Sequence, residues 1–374
     1  MNNLVNITDV CSEIFAGGDA PKSNMSENKT DEYKIPIFSN GEANDGLYGY
    51  TNFARVTEPS ITVSARGTIG FVAVRNEPFV PIVRLISLTP NPEKIEIRYL
   101  YYAIQNYKFD GSGTSIPQLT VPMLKKYSFP LPTKQQQLDI IDQLDSVCNL
   151  INLRKQQLSK LDELVKSRFI EMFGNLVIGD KIITNKHKIG DIASVTKLAG
   201  FEFTKYIQYK DQGDIIMLRG LNCKKGHLIL DDIKWIDKDT SDLLPRSKLY
   251  YGDILMTYAG TIGDVAMVDA DNKYHLAPNV AKITLADKTA HNPVFLIHLF
   301  MYTNDYIMTF ASVVAQASIN MEKIRNFEYY FPSVEQQNTF ATFVEQVDKS
   351  KFEIQKSLEK LEMLKKALMQ KYFG

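Results

Sequence analysis

Residues 155–164, Lys155-Gln156-Gln157-Leu158-Ser159-Lys160-Leu161-Asp162-Glu163-Leu164, are echoed 200 positions later by Gln355-Lys356-Ser357-Leu358-Glu359-Lys360-Leu361-Glu362-Met363-Leu364. At the same displacement Val147 meets Val347, Lys166 meets Lys366, and Phe173-Gly174 meets Phe373-Gly374. Phe129-Pro130 and Phe331-Pro332 each precede a glutamine pair, Gln136-Gln137 and Gln336-Gln337, and Gly67-Thr68-Ile69-Gly70 returns as Gly260-Thr261-Ile262-Gly263. A period this long is no solenoid repeat; it marks a duplicated globular-plus-helical module. The length of 374 residues leaves room for two or more domains.

Both helices are legible. Pro132 and Pro332 stand just before them and no proline interrupts them. Leu144, Val147, Ile151, Arg154, Leu158, Leu161, Val165, Arg168 and Met172 fall on alternating steps of three and four. So do Val344, Val347, Lys351, Ile354, Leu358, Leu361, Lys365, Leu368 and Tyr372. These are heptad seams. Arg154 and Arg168 interrupt the first where Ile354 and Leu368 are apolar, and Lys351 and Lys365 interrupt the second where Ile151 and Val165 are apolar. Each helix can pack on its own globular segment, but the matched interruptions favour pairing, and a pseudo-twofold axis would make the pair antiparallel. Helices of about 36 residues would reach roughly 54 Å.

The remaining segments alternate short β-like runs with turns, as in Ser60-Ile61-Thr62-Val63-Ser64-Ala65, Gly70-Phe71-Val72-Ala73-Val74, Asp214-Ile215-Ile216-Met217-Leu218 and Ala281-Lys282-Ile283-Thr284-Leu285. Each also carries a late helical stretch, about 96–106 and 293–310. The expected architecture is α+β: two globular domains of similar fold, 1–130 and 176–330, separated by two long α-helices, 131–175 and 331–374, that form a pseudo-twofold antiparallel coiled coil. Its seam is Leu144, Val147, Ile151, Leu158, Leu161, Val165, Val347, Ile354, Leu358, Leu361 and Leu368.

Composition and missing motifs narrow the function. Lys+Arg and Asp+Glu both number 43, which excludes a protein that coats nucleic acid by net charge alone. Cys11, Cys148 and Cys223 form no CxxC pair, so no disulfide framework, metal site or cofactor is expected, and a reducing, cytoplasmic setting fits. No apolar run approaches the roughly 18 residues that span a bilayer, and Met1 to Asn6 lack the pattern of a signal peptide. GxxxxGK[ST], GxGxxG and HExxH are all absent. All five histidines (His187, His227, His275, His291, His298) lie in the second half, so no histidine-based site is duplicated. Trp235 and the tyrosines from Tyr99 to Tyr107 read as core.

The order Phe129-Pro130-Leu131-Pro132, Gln135-Gln136-Gln137, heptads, then Phe169-Ile170-Glu171-Met172-Phe173-Gly174 resembles the central spacer of type I restriction-modification specificity subunits. Phe331-Pro332-Ser333-Val334-Glu335-Gln336-Gln337 through Phe373-Gly374 resembles that family's second spacer, and the two glycine turns resemble a feature of its target-recognition domains. Ala259 stands where Arg66 does, so a role for that arginine does not carry to the second half. The resemblance implies a non-catalytic subunit. Its two recognition domains would each read half of a bipartite, asymmetric double-stranded DNA target. Two methyltransferase subunits would bind the spacers and restriction-translocation subunits would join them, in the context of phage defence.

Residues 1–130 carry 12 basic and 13 acidic groups, and 176–330 carry 18 and 18, so DNA contact requires a clustered face or a basic partner. The isolated chain is expected to bind DNA weakly and with strong salt dependence. Polar and basic loops supply candidate contacts: Lys22, Asn40, Asn44, Tyr48, Tyr50, Arg66, Thr68, Ser112 and Ser115 in the first half. In the second they are Thr204, Lys205, Arg219, Asn222, Lys224, Lys225, Tyr258, Thr261, His275 and Asn279. Asn suits adenine, Arg suits guanine, and glycine-rich backbone suits phosphate. Two competing readings are a non-catalytic coiled-coil scaffold with two protein- or peptide-binding modules, and an enzyme built on Asp253 and Asp264.

Overall fold

A computed structural model of the chain describes residues 4–107, 118–182, 186–312 and 317–374. It divides into two compact units, the first 1–155 with 355–374 and the second 156–354. No helix among the described residues is long and apolar enough to cross a membrane.

The first unit is built on strands β1 (Cys11–Ala16), β2 (Ser60–Val63), β3 (Val72–Arg75) and β4 (Ile86–Pro90), paired in the order β1-β4-β2-β3. The second repeats this with β5 (Ala193–Lys197), β6 (Ile254–Thr257), β7 (Val265–Met267) and β8 (Val280–Leu285), ordered β5-β8-β6-β7. Register repeats as well. Val63 faces Ile86 as Met256 faces Ala281, and Ile61 faces Leu88 as Ile254 faces Ile283. Each unit adds a smaller sheet with one parallel pair, Ile35–Phe38 beside Val80–Pro81 and Ile215–Leu218 beside Tyr274–Leu276. In the second unit the main sheet is buried on both faces: Ile254, Met256, Ala281 and Ile283 pack with Phe295 and Leu296 of a helix, and Leu255, Ala266 and Val280 pack with Ile216, Leu218, Tyr274 and Leu276 of the smaller sheet.

The helix at this place is α1 (Ile97–Asn106) in the first unit and α3 (Pro293–Tyr302) in the second. The helical run expected to reach about residue 310 breaks at Thr303, whose hydroxyl donates to the Leu299 carbonyl at 2.7 Å before a second short helix, Asn304–Met308.

The long helices are α2 (Lys134–Phe173) and α4 (Val334–Phe373), 40 residues each and about 60 Å at 1.5 Å per residue. They pair antiparallel within each unit. In the first, the Tyr372 hydroxyl donates to Gln143 Oε1 at 2.7 Å, and Lys155 lies 3.5 Å from Glu362. In the second, Lys351 Nζ lies 2.6 Å from Asp162, and the Phe169 and Phe340 rings meet edge-on at 5.3 Å. Leu144, Val147, Ile151 and Leu358 are buried in the first unit, and Val165, Val344 and Val347 in the second. Leu158, Leu161, Ile354, Leu361 and Leu368 are half-buried. Lys351, a break in the apolar seam, is answered across it by the Asp162 carboxylate.

The helix ends join the cores of the units. Ile140, Ile141, Leu144, Met369 and Phe373 pack with Tyr99 and the β2–β4 face, and Phe169, Phe173 and Phe340 pack with Phe295.

Candidate nucleic-acid interface

The glycine turns occupy the same place in both units, on the hairpin that follows the central strand. Ser64 N donates to the Phe71 carbonyl and Gly70 N to the Ser64 carbonyl, and Thr257 N and Gly263 N bond identically to Asp264 and Thr257, all at 2.9 Å. Gly67, Gly70, Gly260 and Gly263 have φ of 68°, 84°, 83° and 86°, values an L side chain resists. The chain then meets the turn again: Leu119 N donates to the Ala65 carbonyl, and Ile319 N to the Tyr258 carbonyl. Arg84 (φ 63°) and Asn279 (φ 66°) occupy equivalent positions, two residues before Ile86 and Ala281, which pair with Val63 and Met256 of the central strands. Equivalent positions therefore carry Arg66 and Ala259, Arg84 and Asn279, and Gln118 and Ser318.

In the first unit Arg66 is half-buried, and its Nε and Nη2 donate to Gln118 Oε1 at 3.2 and 2.9 Å. Arg84 Nη1 donates to the same oxygen at 3.5 Å. Thr68 is exposed on the turn. Asn40 ties the site together: its amide nitrogen donates to the Val83 carbonyl at 2.6 Å and its oxygen accepts Ala65 N at 2.7 Å. Both ends of that amide are consumed internally. Lys22, Asn44 and Tyr48 are exposed outside this cluster and hydrogen-bond to none of its members. Tyr50 is half-buried in strand Leu47–Thr51. Ser112 and Ser115 lie outside the described residues.

The second unit opens a cleft of about 500 Å³ at the corresponding place. Arg219, Lys224, Thr261 and Asn279 line it together with Phe203, Tyr209, Thr257 and Asp264. Arg219 Nη2 donates to the carbonyl and Oδ1 of Asp232, both at 2.9 Å. Burial raises the Asp264 carboxyl above its ordinary range, and Lys224 opposes the rise. Thr204, Lys205 and Lys225 are exposed, and Tyr258 is half-buried with the Lys197 ammonium 5.4 Å from its ring centre. Asn222 is buried and fastens its own loop, accepting Arg219 N at 3.0 Å and donating to the carbonyls of Ile229 and Asp232 at 2.8 Å. His275 is fully buried, with Nδ1 and Nε2 beside the carbonyls of Leu276 and Leu244 at 3.2 and 3.3 Å. It faces the core, where burial lowers its pKa. Asp253 is buried too, accepting Thr284 Oγ1 at 2.6 Å and Tyr250 N at 2.9 Å. It serves a turn, and no group of three or more metal-ligating side chains occurs among the described residues.

Reading the sequence by residue type passed over Arg84, Gln118 and Lys197. Only superposing one half on the other brings Arg84 forward, as the partner of Asn279.

Two copies of one sheet topology, each presenting a polar turn and joined to an antiparallel helix pair, define a duplicated recognition protein. A family model described as the type I restriction modification DNA specificity domain matches residues 2–163 and 184–365, and the chain belongs to that family. A candidate type I specificity subunit of Mycoplasma pneumoniae is 36% identical over 171 residues, 43% of this chain and 47% of that one. The Escherichia coli type I restriction enzyme EcoBI specificity subunit is 24% identical over 331 residues, 80% of this chain and 69% of its own length. A crystal structure of a type I restriction-modification system S subunit from M. genitalium matches all of this chain and 96% of its own with a TM-score of 0.56 at 15% identity, which speaks to fold. The chain spans about half the length of two Mycoplasma pneumoniae relatives, 47% and 50%.

Proposed function

We propose that this chain is the sequence-reading subunit of a type I restriction-modification assembly, itself without catalytic activity. Residues 1–130 and 176–330 act as target-recognition domains, each reading one half of a bipartite, asymmetric DNA site. Residues 131–175 and 331–374 act as the spacers that set the unread gap. The observation that carries this reading is the duplication of one polar turn, at one topological position, in two units whose side chains there differ. A duplicated scaffold with divergent contacts suits two dissimilar half-sites.

The contacts are Arg66, Thr68, Lys22, Asn44 and Tyr48 in the first unit, and Thr204, Lys205, Arg219, Lys224, Lys225, Tyr258, Thr261 and Asn279 in the second. Asn40, Tyr50, Asn222 and His275 support them from behind. The near-neutral charge of each half argues that a basic partner shares the grip on DNA. The helices offer such partners apolar purchase: Leu150, Leu153, Met363 and Leu364 are exposed on the first unit, and Leu164 and Phe352 on the second. Two methyltransferase subunits dock there, restriction-translocation subunits join them, and the assembly works in the cytoplasm without a cofactor held by this chain.

Selection from a random-sequence duplex pool, with the methyltransferase partner present, tests the reading. Enrichment of two short motifs at one fixed spacing is the expected result. Failure to enrich such a pair would favour a scaffold that binds proteins or peptides.

A further inference from the structure

We infer that Arg66, Arg84 and Gln118 form a clamp for one backbone phosphate beside the first half-site, and that the second unit has no counterpart. The inference rests on the DNA-reading function proposed above and assigns a chemistry to one part of its first unit.

Two guanidinium groups converge there on a single neutral oxygen, Gln118 Oε1, at 2.9 and 3.5 Å. Bringing like charges together is unfavourable unless an anion offsets them. Arg55, Arg98, Arg168 and Arg219 each lie within 3.0 Å of a carboxylate, and Arg75 is paired with Asp45. Among the described residues, Arg66 and Arg84, like Arg246 and Arg325, have no such partner, and of these four Arg66 and Arg84 alone converge on one side-chain oxygen. The site is thus arranged to receive an anion. The Gln118 amide nitrogen is left as a further donor on the same spot.

Arg84 is held in place at a conformational cost. It and Val83 form the centre of the turn Ile82–Leu85, closed by Leu85 N donating to the Ile82 carbonyl at 3.0 Å. Both central residues have positive φ, 51° and 63°, where Asn-Gly is the ordinary occupant and a β-branched valine is an outlier. Three bonds fix this turn: Val83 N to the Gly18 carbonyl at 2.7 Å, Arg84 N to the Gly17 carbonyl at 2.9 Å, and Asn40 Nδ2 to the Val83 carbonyl at 2.6 Å. Gly17 is obligatory, because a Cβ there would come within 2.4 Å of the Pro81 carbonyl oxygen. Strain retained by surrounding structure is characteristic of ligand clamps.

The geometry favours phosphate over a base edge. A guanine edge is satisfied by one arginine in a bidentate pair. Two guanidinium groups converging from different loops match the several oxygens and the full charge of a phosphate. In the second unit Ala259, Asn279 and Ser318 occupy these positions, and Arg219 is paired with Asp232. The first unit therefore carries a charge contact that the second lacks.

The test uses the full chain with its methyltransferase partner on the selected duplex. Affinity is measured across a salt series for wild type, Arg66→Gln, Arg84→Gln, the double variant and Arg84→Lys. The double variant is expected to reduce the slope of log affinity against log salt by about 0.9, the loss of one phosphate contact, and each single glutamine variant by part of that, while both half-site sequences persist and Arg84→Lys retains the slope. Neutralising single phosphates as methylphosphonates should reveal one position flanking the first half-site that weakens wild type about tenfold and has no added effect on the double variant. Unchanged slopes, a shift in first half-site base preference, or no sensitive phosphate there would overturn the clamp while leaving the DNA-reading function standing. A wild-type chain that selects no paired motif would overturn that function and the clamp with it.

Discussion

Gln137 and Gln337 show what the repeated glutamine pair is for. Gln137 Oε1 accepts Glu96 N at 2.8 Å, just before α1, and its Nε2 donates to the Pro132 carbonyl at 3.0 Å. Gln337 repeats both bonds, with Asn292 N and the Pro332 carbonyl at 2.9 Å. The preceding Gln136 and Gln336 reach back to Thr133 N and Ser333 N, a capping box that starts each long helix. Both inner glutamines are buried, so truncation strands backbone polar groups away from water. Gln137→Ala should cost the first unit about 1–3 kcal/mol, a fall in its melting temperature of roughly 2–4 °C per kcal/mol measured by thermal unfolding. An unchanged transition would show that the amide is dispensable. The motif stood out in the sequence, but its bonds did not, since Glu96 lies 41 residues away. The same limit explains Asn40, Asn222 and His275. Their side chains suit base contact by type, yet backbone groups consume them: Val83, 43 residues on, for Asn40, Leu244, 31 residues back, for His275, and the Arg219–Asp232 loop for Asn222.

Among the elements, the heptad helices and the glycine turns were the most legible. Each depends on local pattern: spacing in one case, backbone freedom in the other. The returning strand was less so, because its entry position holds Arg84 in one unit and Asn279 in the other, and no shared residue type marks the positive φ. Helices α1 and α3 correspond in place but differ in chemistry. His298 on α3 packs edge-on to Phe340 at 5.3 Å, and burial, with His227 and Lys351 adding to it, pushes its pKa down to about 3. Burial also lowers His275 and His291, whereas the first unit has no histidine. Below about pH 6.5 the unfolded second unit binds more protons than the folded one, so its stability falls as the pH drops and is fully present above that value. Each fully shifted histidine contributes a slope of up to about 1.4 kcal/mol per pH unit. Trp235, the sole tryptophan, lies in this unit and reports it directly. Its fluorescence should show a lower denaturation midpoint at pH 5.5 than at pH 7.5. A constant midpoint would contradict the burial of these rings.

At the scale of the whole molecule, the sequence pointed to two similar modules and two long helices, and the family match agrees. It did not show that each helix divides between the units. Phe169 and Phe173 complete one core, and Met369 and Phe373 the other. These four side chains each stand one position after the heptad residues Arg168, Met172, Leu368 and Tyr372, so the heptad pattern that marks the seam did not mark the residues that enter the cores. The proposed ruler can be shortened on that pattern. Deleting residues 154–160 from α2 together with 355–361 from α4 removes one heptad from each and keeps both seams in phase. Seven residues at 1.5 Å are about 10.5 Å, or roughly three base pairs at 3.4 Å each. Duplex selection with the shortened chain and its methyltransferase partner should recover both wild-type half-sites with a gap about three base pairs smaller. Altered half-sites across an unchanged gap would contradict the assignment of reading to the units and spacing to the helices.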